Sequence, residues 1–222
     1  SMDRVNDILF GPLERPALAW LCRRMPSRIT PDQLTVVGVG GGVLTLLGYG
    51  LTNLDRNFLW LACAGLVLNW LGDSLDGSLA RFRGIERPRY GFFLDHMSDA
   101  FVTVMVCVGV GLSAYVDMVY ALVALAGYLL MSLLTYVTGL ATGVFRLSYG
   151  KVGPTEIRLI IIGASIVCYF VPNPVLRLGG TEVRLFELVT LGIGIVLMGA
   201  CAVATFTTSR ALARLDPKAS GR

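Results

Sequence analysis

Four aspartates concentrate the chemistry of this 222-residue chain: Asp73, Asp76, Asp95 and Asp99. They sit in long apolar runs, where an aspartate costs roughly 2.5–3.5 kcal/mol or more at the centre of a membrane helix. Carboxylates held at that cost mark a functional site. Asp73 and Asp76 are spaced i,i+3, and Gly77 and Ala80 continue their helical face. Asp95 and Asp99 are spaced i,i+4, with Gly91 one turn earlier. Two helices presenting these stripes to one another would enclose a polar cleft. Four like charges there would repel unless cations lay between them, and hard divalent ions take oxygen ligands of this kind. The competing reading is a pair of helix ends with solvated acids.

Carboxylates that hold divalent ions suit phosphoryl transfer, because the ions polarise phosphoryl oxygens and neutralise developing charge. Arg81, near the end of the first of these helices, is placed to neutralise a phosphate. Gly77 and Ala80 leave room for a bulky group to approach the backbone. An attacking alcohol also needs a group to accept its proton. Asp99, deepest in its helix from the cytoplasmic end, is assigned that role, with Asp95 next in line.

The elements that must position these residues follow from composition. The chain is 55% hydrophobic and 15% charged, with a mean hydropathy of +0.68. A soluble domain carries about 25% charged residues, so an all-α integral membrane protein is expected. Six spans are read at about 32–52, 58–83, 91–114, 118–143, 154–171 and 185–209. An N-terminal amphipathic helix, with Trp20 near Arg23, Arg24 and Arg28, is expected to lie in the interface rather than cross it. No cleaved leader is expected, because Glu14, Arg15 and Pro16 break the first apolar run. Thr30 and Pro31 read as the N-cap and first position of the first span. The organisation expected is an interfacial segment at 1–30, a six-helix domain at 31–210 and a cytoplasmic tail at 211–222.

Orientation follows from the basic residues, 16 of 19 of which fall on one side of this topology. Only Arg56, Arg177 and Arg184 fall on the other. The positive-inside rule then puts both termini and the aspartates at the cytoplasmic face. This distribution also removes the case for nucleic-acid binding. Five scattered cysteines without a CxxC spacing, and His96 as the single histidine, argue against a zinc site or a disulfide framework. Gly40-Gly41-Gly42 lacks the lysine and strand context of a phosphate loop. Trp60, Trp70 and Tyr90 read as interfacial anchors or packing, and His96 as a neighbour of the site.

The pattern Asp73-x2-Asp76-Gly77-x2-Ala80-Arg81-x9-Gly91-x3-Asp95-x3-Asp99 fixes eight residues at defined spacings. It resembles the signature of the CDP-alcohol phosphotransferase family, and the six-span layout agrees. Members cleave the pyrophosphate of a CDP-linked alcohol, pass the substituted phosphoryl group to a second alcohol and release CMP. The resemblance implies that Asp73, Asp76, Asp95 and Asp99 hold two magnesium or manganese ions, with Asp99 also the base. It implies that Asp73, Gly77, Ala80, Arg81 and Gly91 line the nucleotide and pyrophosphate pocket. Pro31-Asp32-Gln33-Leu34-Thr35 is similar to the family's Pro-Asn-x-Leu-Thr, which adds Asp32 and Thr35 to that pocket although Asp32 replaces the asparagine.

The donor expected is CDP-diacylglycerol, because the chain resembles compact bacterial-type members. The same likeness places it in a bacterial inner membrane, among membrane phospholipids, as a homodimer. The acceptor group is read at Arg146, Lys151, Glu156 and Arg158, where cations would suit a phosphorylated polyol. Alternatively, Asp95-His96-Met97-Ser98-Asp99 and Thr155-Glu156 resemble the aminoalcohol branch, which uses CDP-choline or CDP-ethanolamine with diacylglycerol. Glu156 also reads as an ordinary first-turn glutamate, and Arg158 as a positive-inside anchor. Two non-enzymatic readings stand beside these. A cation transporter would spread its acids over other spans and repeat them, and no such repeat occurs. A silent scaffold would have lost an aspartate or the arginine, and none is lost.

Overall fold

The computed structural model describes residues 11–142 and 154–215. Seven helices and one hairpin are found among these residues, in the order α1 (Gly11–Arg24), α2 (Pro31–Gly50), α3 (Phe58–Arg83), α4 (Pro88–Leu112), α5 (Met118–Thr142), α6 (Pro154–Phe170), β1 (Val175–Leu178), β2 (Thr181–Arg184) and α7 (Leu185–Leu215). A short 3-10 turn, Leu51–Asn53, extends α2.

Local signals explain the boundaries near the site. Thr30 caps α2 in a reciprocal capping box: its hydroxyl accepts from the Gln33 N–H, and the Gln33 side chain accepts from the Thr30 N–H. Pro31 follows at the first helical position, where its missing N–H costs nothing. Gly84 ends α3 in the left-handed region at φ 64°, so the chain turns back sharply into α4.

Helices α2 and α3 meet backbone to backbone. A Cβ added at Gly65 would lie 2.5 Å from the Thr45 N and 2.7 Å from the Gly41 carbonyl oxygen. One added at Gly72 would lie 2.5 Å from the Leu34 carbonyl oxygen. Small residues at a membrane helix interface permit this approach, which then gains dispersion contact and polar bonds. Thr45, fully buried, donates to the Gly41 carbonyl, and Asn69 Nδ2 donates to the Gly38 carbonyl at 3.0 Å. The other face of α2 packs on α4, whose Val102 and Val106 join Leu66 of α3 in a buried cluster. Helix α5 follows on α4 and carries α7 through the facing pair Gly127 and Gly194.

Helices α1 and α6 lie against α3. Leu18 and Cys22 of α1 are buried on Leu75 and Leu79. Arg83 then ties the α1–α2 linker to the end of α3, donating to the Ile29 carbonyl at 2.5 Å and the Pro26 carbonyl at 2.8 Å.

The predicted spans correspond to α2 through α7. Five of these helices have the length and apolarity to cross a membrane; α6 has 17 residues, about 25 Å at 1.5 Å per residue. Among the described residues five spans thus reach full length, and the sixth, α6, is not confirmed as one. Their outer faces are apolar and unpacked: only 6% of the apolar window of α7 is buried within the protein. Such a surface needs lipid, and the chain is an integral membrane protein. The hairpin was not expected. Gly179 and Gly180, both at positive φ, supply the tight turn, and Arg177 pairs with Glu182 across the strands at 2.9 Å.

Candidate active site

Asp73 and Asp76 lie in the C-terminal half of α3, and Asp95 and Asp99 in α4, the helix that returns after Gly84. The turn brings the two carboxylate stripes together. Ligand oxygens of Asp73, Asp95 and Asp99 lie within 4.8 Å of one another. Three carboxylates at that spacing offer the hard oxygen donors that a divalent cation takes. The donor set therefore fits such an ion.

Asp76 does not point into this trio. One of its oxygens accepts from the Thr35 hydroxyl at 2.6 Å, and the other from the N–H of Gly77. Asp76 is thereby turned toward the start of α2, and Thr35 is buried beside it. The fourth carboxylate and the Pro31–Thr35 motif form one unit.

Arg158 of α6 supplies the counter-charge. Its Nη2 lies 2.8 Å from Asp73 Oδ2 and 3.3 Å from Asp99 Oδ1, and its side chain is only 11% exposed. Salt bridges this enclosed persist only when both partners are well bonded. A guanidinium shared by carboxylates from α3 and α4 ties three helices at one point. His96 Nδ1 lies 3.3 Å from Asp95 Oδ2 and 2.8 Å from the Phe92 carbonyl oxygen, and its ring stacks on Phe92 and leans on Tyr136.

These groups line one open cleft of about 1740 Å³. Asp32, Thr35, Gly77, Ala80, Arg81 and Gly91 all contribute to its wall, together with the four aspartates and Arg158. Asp32 is ion-paired with Arg87 at the rim. The Arg81 guanidinium lies over Gly77 and donates to Ser78 Oγ at 3.4 Å. A Cβ at Gly91 would meet nothing within 4 Å, so the wall is open there. Glu156 is buried on α6 and does not line the cleft. Arg146 and Lys151 lie outside the described residues.

Sequence reasoning missed two parts of the wall. Tyr128, Ser132 and Tyr136 of α5 face Asp99 across a side cavity of about 200 Å³. They form an i,i+4,i+8 polar stripe on a largely apolar helix, a signal that was there to be read. Glu14 and Thr155 also line the cleft. Nothing in their spacing links two residues so far apart.

The sequence profile of one family, described as CDP-alcohol phosphatidyltransferase, matches residues 28–208. Among individual proteins, the chain is 28% identical to cholinephosphotransferase 1 of Gallus gallus over 82% of its own length and 57% of that protein's. It is 30% identical to cholinephosphotransferase 1 of Danio rerio over 69% of its length and 42% of that protein's. The chain thus spans about half the length of these relatives. Among solved structures, phosphatidylinositol phosphate synthase of Mycobacterium tuberculosis, in complex with manganese and citrate, superposes with a TM-score of 0.56 at 22% identity. That match covers 94% of this chain and 92% of the other. The same enzyme with CDP-DAG bound gives a TM-score of 0.55 at 20% identity. At these identities the likeness is one of fold.

Proposed function

Because the chain belongs to the CDP-alcohol phosphatidyltransferase family, we propose that it moves a substituted phosphoryl group from a CDP-linked alcohol to a second alcohol and releases CMP. The observation that carries this reading is the convergence of Asp73, Asp95 and Asp99 inside one open cleft, with Arg158 bonded to the first and last of them. The acceptor oxygen forms a new bond to the phosphorus that bears the donor's alcohol. The bond from that phosphorus to the bridging oxygen breaks, and CMP leaves with that oxygen. The acceptor's hydroxyl proton passes to a carboxylate of Asp99, which faces the side cavity between α4 and α5. Asp95 is the nearest substitute for that role.

Two magnesium or manganese ions, held by Asp73, Asp76, Asp95 and Asp99, would polarise the phosphoryl oxygens and offset the charge that develops on them. Asp76 would have to share its bond with Thr35 to join them. Arg81, with Gly77, Ala80 and Gly91, receives the pyrophosphate and nucleotide, and Asp32 and Thr35 border them at the start of α2. Arg158 orients Asp73 and Asp99 and, with Arg146 and Lys151, belongs to the acceptor side, while Glu156 on the same turn of α6 is buried off the cleft. The catalytic helices α3 and α4 fall within 31–210, and α1, packed on α3, is read as the interfacial segment that precedes them. The clustering of basic residues supports a cleft open to the cytoplasm, and a bacterial inner membrane is the membrane expected from the family resemblance. A homodimer is the assembly expected.

CDP-diacylglycerol is our first donor, in keeping with a fold that resembles a synthase crystallised with CDP-DAG. A second reading has an observation of its own. The Phe92, His96 and Tyr136 rings stand beside Asp95, and an aromatic wall next to a carboxylate suits a quaternary ammonium. With the cholinephosphotransferase relatives, this supports CDP-choline or CDP-ethanolamine as donor and diacylglycerol as acceptor.

The test is CMP release by the purified protein with CDP-diacylglycerol and magnesium, run against inositol phosphate, glycerol phosphate, inositol, serine, choline and ethanolamine. A parallel arm uses CDP-choline or CDP-ethanolamine with diacylglycerol. Release with one pair, lost on chelation with EDTA, identifies the branch. Silence in every arm refutes the reaction.

A further inference from the structure

We infer that Glu14 of α1 is a positioning residue, which staples α3 to α6 behind the pair Asp73–Arg158 and so sets the width of the acceptor side of the cleft. Its carboxylate receives three neutral donors from two helices. Oε1 accepts from Trp70 Nε1 at 3.1 Å and from Ser74 Oγ at 2.9 Å, both on α3. The Thr155 hydroxyl of α6 donates to the same carboxylate, at 3.4 Å from Oε1 and 3.3 Å from Oε2.

The sequence neighbours of these donors give the junction its consequence. Ser74 follows Asp73 directly, and Thr155 lies three residues, almost one helical turn, before Arg158. Arg158 is the group that reaches across to Asp73 and Asp99. Glu14 therefore fixes α3 and α6 to each other within a turn of the place where their charged side chains meet. It is itself held in place, because Leu18 and Cys22, on the next turns of α1, are buried against Leu75 and Leu79 of α3. The contact between α6 and α3 is otherwise made deeper in the bundle, by Ile161 and Ile162 against the Leu66 cluster and by Cys168 and Tyr169 against Leu59, Ala62 and Trp60. Without Glu14, the first turn of α6 keeps Arg158 as its tie to the aspartates but loses its tie to α1.

A glutamine at this position keeps the junction. Its amide oxygen accepts from Trp70 and Ser74, and its NH2 donates to the Thr155 oxygen. An alanine removes all three bonds. The kinetic part of the test rests on the reaction proposed above; the structural part does not. In Glu14→Ala, amide exchange at residues 158–162, the first hydrogen-bonded amides of α6, should rise at least tenfold. The acceptor KM should rise about tenfold, with the donor KM and kcat within twofold of wild type. Glu14→Gln should match wild type in all four readouts.

Unchanged α6 exchange in Glu14→Ala overturns the inference. So does a Glu14→Gln variant whose acceptor KM rises as in Glu14→Ala, since that would assign the effect to the charge rather than to the junction. If Glu14→Ala does not fold, Thr155→Val removes only the α6 limb and must give the same exchange and KM changes. If wild type releases CMP from no substrate pair, the reaction fails, and the exchange comparison still decides the role of Glu14.

Discussion

Replacing Arg158 with methionine should weaken the protein without metal and at the same time tighten its grip on a divalent cation. The guanidinium is 11% exposed, Asp73 is 19% exposed and Asp99 is 34% exposed. Removing one partner of a buried pair costs about 3–5 kcal/mol, because the opposite charge is left without compensation. Asp99 is about a third exposed, so water shields its share, and about 2–3 kcal/mol is the expected loss. The formal charge of Asp73, Asp95, Asp99 and Arg158 together is −2, three carboxylates against one guanidinium, and becomes −3 in the variant. A cation that enters the trio would then replace the lost arginine. By linkage, each 1.4 kcal/mol that the ion restores must appear as about tenfold tighter binding. Manganese affinity, measured by electron paramagnetic resonance, should therefore rise about ten- to a hundredfold. Melting in EDTA should drop by several degrees, and manganese should recover most of that drop. Equal losses with and without manganese, at unchanged affinity, would refute the reasoning, because Arg158 and the ion would then not share the same carboxylates.

Two further perturbations separate chemistry from packing. Asp99→Asn should lower turnover by about a hundredfold or more while leaving CDP-lipid binding and melting near wild type; near-normal CMP release would remove Asp99 from the base role. Gly65→Ala should cost about 1–3 kcal/mol, since its methyl would lie 2.5 Å from the Thr45 backbone. Gly163→Ala, with nothing within 4 Å of the added carbon, is the matched control and should melt within a degree or two of wild type or above it.

Much of this molecule could be read before any coordinates, and the limits have physical causes. Apolar runs of about 20 residues must be helices, because a backbone in lipid has to bond to itself; hence the agreement between the expected spans and α2–α7. Helical spacing also put Asp95 and Asp99 on one face, and the left-handed Gly84 cap is what folds that face onto α3. Spacing cannot say which way a side chain turns once there. Asp76 was grouped with the other three aspartates, yet here it bonds Thr35 and the Gly77 N–H. Arg158 was read as part of the acceptor group, and its place over Asp73 and Asp99 depends on α6 lying beside α3, 85 residues away in the chain from Asp73 at its position. The hairpin escaped notice because four-residue strands carry too little alternation to register. Its Gly179-Gly180 turn was the available clue.

The glycine seam between α2 and α3 has a mechanical consequence. Where two helices touch main chain to main chain, as at Gly41, Gly65 and Gly72, few side chains lie between them to compress or re-pack, so that stretch behaves as a stiff beam. Thr35 and Asp76 are both mounted on that beam, and their spacing is a fixed gauge. Helix α4 meets the beam partly through Val102 and the flexible end of Met105, opposite Gly42, and α6 meets it through isoleucines. Near the cleft these side-chain joints, rather than the glycine seam, leave room for adjustment, while at the far end Gly109 again brings α4 against the backbone of Leu46.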